Sequence, residues 1–94
     1  MTEQIGSGTA QGLVEYLGSL VSKGRATPGA IRPLRTTFTK IMSTVDGEGW
    51  GKANIRDINV EDYMLRFANL TMGAYNDASL SVYKSRVKKV MGWD

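Results

Sequence analysis

The chain has 94 residues, a formal net charge of +3 and a sequence pI near 9.4, with no cysteine and no histidine. That length makes one domain with a small core, and the missing residue types remove disulfides, thiol chemistry, the commonest general base and the commonest metal ligand. Nothing approaches the ~18 unbroken apolar residues of a membrane span, and the N-terminus lacks the charged-then-apolar signal pattern, so a cytoplasmic location is the default.

In chain order, the segment MTEQIGSGT, residues 1–9, is polar and glycine-containing without periodicity and reads as a disordered tail. From Ala10 to Lys23, Leu13, Leu17, Leu20 and Val21 recur at helical spacing, with Thr9 placed to cap and Gly24 to stop the helix. Gly18 weakens this helix by about 1 kcal/mol relative to alanine, or else permits a close helix contact. Thr27 then suits an N-cap and Pro28 the first helical position. Ile31, Leu34, Phe38, Ile41, Met42 and Val45 form one apolar stripe. Pro33 sits too deep for a free first-turn proline, so the expectation is a kinked first turn with regular helix from about Pro33 to Val45.

DGEGWGKANIRDI reads as a loop anchored by Trp50, Ile55 and Ile58; an extended piece near Ile55 would find nothing nearby to pair with. Asn59 opens a third helix in a capping-box-like pairing with Asp62, and Val60, Tyr63, Met64, Phe67 and Leu70 give its buried face. Asp77 is expected to cap a fourth helix with the stripe Leu80, Tyr83, Val87, Val90 and Met91. The sum is an all-α, four-helix domain over residues 10–92.

The charge is unevenly spread. Residues 1–22 sum to −2, 23–45 to +5 without an acid, 46–79 to −3, and 80–94 to +3. The two basic segments also echo each other. TPGAIRPLRTTFTKIM and NDASLSVYKSRVKKVM, 49 residues apart, align Ile31 with Leu80, Arg35 with Lys84, Phe38 with Val87 and Lys40 with Lys89. Opposite the second helix's apolar stripe lie Arg32, Thr36, Thr39, Lys40 and Ser43, with Arg35 flanking. Opposite the fourth's lie Ser81, Ser85, Lys88 and Lys89, with Lys84 flanking. Cations mixed with hydroxyls suit phosphate: the cations release counterions and the hydroxyls donate to phosphate oxygens. The bland reading is that such faces only keep a helix solvated, and amphipathic helices resemble one another by construction.

Other chemistry fares worse. Asp57, Glu61 and Asp62 are better explained by the preference of acids for helix N-termini than by a metal. GEGWG lacks the lysine and serine spacing of a phosphate loop. Tyr16, Tyr63, Tyr75, Tyr83, Trp50 and Trp93 read as packing residues, and no catalytic residue, cofactor or metal ligand is expected.

LVEYLGSLVSKGRATPGAIRPLRTTFTKIM, then IRDINVEDYMLRFANL, then DASLSVYKSRVKKVM, together resemble the N-terminal core-binding domain of the tyrosine recombinases, the phage-integrase group. The resemblance runs from about Leu13 to Met91 and rests on helix starts and apolar positions rather than a sharp motif. It implies a SAM-like, orthogonal four-helix bundle that clamps duplex DNA with its second and fourth helices. By position it implies DNA contacts at Arg25, Thr27, Arg32, Arg35, Thr36 and Lys40, and at Ser79, Ser81, Lys84, Ser85 and Lys88. Pro33 departs from the family pattern. The family's chemistry lies in a separate C-terminal domain, so the resemblance implies a non-catalytic fragment of a bacterial, prophage or mobile-element recombinase. Such an arm is expected to be monomeric alone and oligomeric on DNA within its parent. A helical protein-interaction module and a free-standing DNA-binding regulator are the alternatives.

Overall fold

The computed structural model describes residues 8–92. Thr9 opens the first helix as read: its Oγ1 accepts from the Gly12 N–H at 3.1 Å. Helix α1 spans Ala10–Ser22 and ends in a Schellman turn, in which the Arg25 N–H reaches the Leu20 carbonyl and the Gly24 N–H reaches Val21. Gly24 takes the left-handed angle that turn requires, φ 72°. Of the expected tail, residues 1–9, the first seven lie outside the described residues, as does Trp93. Gly8 and Thr9 are placed, and Thr9 pairs with Asn54 in an isolated antiparallel bridge. The segment near Ile55 therefore does find a partner, 45 residues away in sequence.

Helix α2 spans Pro28–Asp46 without a break, capped by Thr27, whose side chain accepts from the Ala30 N–H at 3.3 Å. Regular helix therefore starts at Pro28 rather than at about Pro33, and it continues through the proline. Proline at this depth deprives the Gly29 carbonyl of its donor, but Gly29 is exposed with open space around it. Water can satisfy that carbonyl, so the helix carries the proline.

Two short 3-10 turns, Gly47–Lys52 and Ile55–Asp57, lead to α3 at Val60–Leu70 and α4 at Asp77–Met91. Asn59 caps α3 through the Asp62 N–H (3.0 Å), while the Asp62 carboxylate turns to Arg66 (3.0 Å), so half of the expected capping box forms. Asn76 caps α4, accepting from the Ser79 N–H at 2.8 Å, and Asp77 is the first helical residue rather than the cap. Among the described residues there is no strand beyond that single bridge.

Helix α2 is central and packs against each of the other three. Its stripe, with Leu13 and Leu17 of α1, Phe67 of α3 and Val87 and Val90 of α4, makes one core. Trp50 seals the core's edge, its ring 6.5 Å from Phe38 in an edge-to-face arrangement. Leu70 departs from expectation and stands 56% exposed: it falls in the last turn of α3, where the chain leaves the bundle. That turn repeats the Schellman geometry with Met72, φ 53°, in the place glycine usually holds.

Candidate nucleic-acid interface

Residues 32, 35, 36 and 39 recur at helical spacing, which puts them on one side of α2. That side borders α1. Arg32, Arg35, Thr36, Thr39 and Lys40 form one wall of an open groove of about 570 Å³, and Val14, Gly18 and Val21 form the other. No acid lines it. Gly18 is the close-contact glycine: a Cβ there would lie 3.6 Å from the Arg35 Nη1, so the guanidinium lies across α1 at this point. Among the described residues, Arg25, Arg32 and Arg35 have no carboxylate partner within ion-pair distance. The Schellman turn after α1 places Arg25 next to this groove in sequence, two residues before the Thr27 cap.

Lys40 has a different setting. Its Nζ lies 4.8 Å from the Tyr75 ring centroid and 5.7 Å from that of Tyr83, and both rings pack on Phe67. The contact with Tyr75 raises the lysine's pKa above its ordinary 10.5.

On α4 the predicted residues separate. Ser81 and Ser85 are exposed, and Ser79 serves the helix cap through its backbone. Lys84 is bound to Glu61 of α3, Nζ to Oε1 at 2.6 Å, and Lys88 reaches the same oxygen at 3.6 Å. The hydrogen bond from Lys84 depresses the Glu61 carboxyl, so the glutamate is ionised and partly neutralises both lysines. The acid-free face expected on α4 is thus supplied with an acid by its neighbour.

Arg86 lies on another side. Successive helical residues turn by about 100°, so Lys84 and Arg86 point about 200° apart. Arg86 Nη1 donates to the buried Thr37 Oγ1 at 3.2 Å, which sets this edge of α4 against α2. Lys40, one turn further along α2, meets Tyr83, one turn earlier on α4, so the helices run in opposite senses across the contact. Arg86 flanks the α4 stripe on the side away from Lys84, and the sequence-predicted contacts do not include it. The 49-residue echo, which aligns Thr37 with Arg86, was the available signal.

Among the described residues no group of acids can hold a metal ion, and no helix is long and apolar enough to cross a membrane. In comparisons with protein-family models, curated proteins and solved structures, nothing matches the chain.

Proposed function

We propose that this domain binds double-stranded DNA, as the non-catalytic core-binding arm of a site-specific tyrosine recombinase with a SAM-like orthogonal bundle. The observation that carries the reading is the α1–α2 groove: three cations and two hydroxyls on one wall, no acid among its lining residues, and two guanidiniums without carboxylate partners among the described residues. An arginine without an acid keeps its planar fork of donors for an incoming oxyanion. On this reading Arg25, Arg32, Arg35 and Lys40 neutralise phosphates, while the hydroxyls of Thr27 and Thr36 donate to phosphate oxygens. Strand transfer would belong to a different domain.

Fluorescence anisotropy with a short duplex tests this. These four phosphate contacts contribute about −3.6 to the log–log salt slope, and replacing Arg32 and Arg35 by glutamine should make the slope shallower by about 1.8. Binding that ignores salt, or a slope untouched by the double substitution, would sink the proposal.

A protein-interaction reading draws on Leu65 and Leu70, 63% and 56% exposed, and on Met72, 91% exposed. It ranks second because Leu65 and Leu70, five residues apart, point about 140° away from each other and make no single apolar face.

A further inference from the structure

We infer that the DNA-facing edge of α4 is the one bearing Arg86 and Lys89, beside α2, and that Lys84 and Lys88 lie off it. The inference rests on the DNA-binding reading and assigns the part of that surface that α4 supplies.

Arg86 is half-buried in the seam between the two helices, its guanidinium anchored by the Thr37 hydroxyl. Among the described residues it has no carboxylate partner. A guanidinium has five N–H donors, and the structure gives this one a single hydrogen bond, to a neutral acceptor. Cations in the last turn of a helix are commonly explained by its C-terminal dipole, which covers Lys88 and Lys89. Arg86 precedes that turn, so the dipole does not account for it.

The seam also has an order. Lys40 lies one turn along α2 from Thr37, and Lys89 one turn along α4 from Arg86. Because the helices run in opposite senses, these two lysines fall on opposite sides of the Thr37–Arg86 bond. The result is a row, Lys40, Arg86, Lys89, with neighbours about 4.5 Å apart along the helix axes. Neither helix contributes an acid to it: α2 has none before Asp46, and α4 none after Asp77. A row of cations with no carboxylate partner among the described residues, beside the α1–α2 groove, suits successive phosphates of one strand. Lys84 and Lys88 face Glu61 instead, and releasing them for DNA would leave that carboxylate close to the phosphates.

The test is duplex affinity by fluorescence anisotropy at moderate salt for R86Q, K89Q and the double variant K84Q/K88Q. R86Q and K89Q should each weaken binding about threefold and reduce the salt slope by about 0.9. Each single loss should exceed that of the double variant. Lys89 is exposed, so K89Q keeps the test valid if R86Q loosens the seam. K89Q at unaltered affinity, with K84Q/K88Q the weaker binder, overturns the inference while leaving the DNA reading in place. An unaltered chain that binds no duplex removes both.

Discussion

Replacing Pro33 by alanine should stabilise the domain. In a helix interior proline costs about 3 kcal/mol relative to alanine, through the missing donor and the clash of its ring with the carbonyl four residues back. In α2 that carbonyl belongs to Gly29, the second residue of the helix, exposed and unobstructed. Hydration of the carbonyl recovers part of the loss, since a backbone hydrogen bond is worth only about 0.5–1.5 kcal/mol net. The expected gain for P33A is therefore about 1.5–2.5 kcal/mol. For a domain of this size each kcal/mol raises Tm by about 4–8 °C, so the melt should move up by roughly 6–20 °C. Thermal melting by far-ultraviolet circular dichroism reads this directly. An unchanged or lower Tm would refute the reasoning and mean that the pyrrolidine ring contributes packing that the half-buried position does not reveal.

Phe67 is fully buried, with Tyr75 and Tyr83 at 5.3 and 6.1 Å between ring centroids. F67A should cost about 3–5 kcal/mol in urea melts, out of a total of about 5–14 for a chain of this length. M72G should gain about 0.5–1 kcal/mol: it relieves a left-handed angle worth about 1–2 kcal/mol, less the freedom glycine adds to the unfolded chain, and Met72 buries almost nothing. Burial, and then its hydrogen bond to Asp46 at 2.7 Å, push the Tyr63 phenol up from 10.0 to about 12. A folded pKa above the unfolded one means stability that is complete below pH 10 and lost as pH rises through about 12. Lys40, also raised above its ordinary 10.5, acts in the same direction. Y63F should therefore shrink the alkaline loss of stability without abolishing it, as read from urea melts across that range.

What the sequence disclosed was local. Thr9, Thr27 and Asn59 cap as read because a side-chain oxygen meets a backbone N–H two or three residues on, and this needs no knowledge of the rest of the chain. The stripe of α2 is buried because periodicity alone chooses one side of a helix. At the start of α4 the sequence leaves the cap open by one residue, since Asn76 and Asp77 can both cap, and Asn76 does. Pro33 misled because its cost depends on whether the Gly29 carbonyl meets water, and that is a property of the assembled surface. The α4 site was half legible. Its cations could be counted, but which of them Glu61 neutralises, 23 residues away, and which side α2 occupies follow from packing. Periodicity fixes the angles between residues on one helix and leaves open which neighbour stands at each angle.

The measurement that bears most directly on the central claim is an NMR amide titration with a short duplex at low salt. A DNA-binding surface on α2 and α4 gives shifts that fade as salt rises, gathered over residues 25–40 and around Arg86 and Lys89. No shifts, or shifts centred on α3 around Leu65, would contradict it and leave the basic faces as ordinary solvated surface.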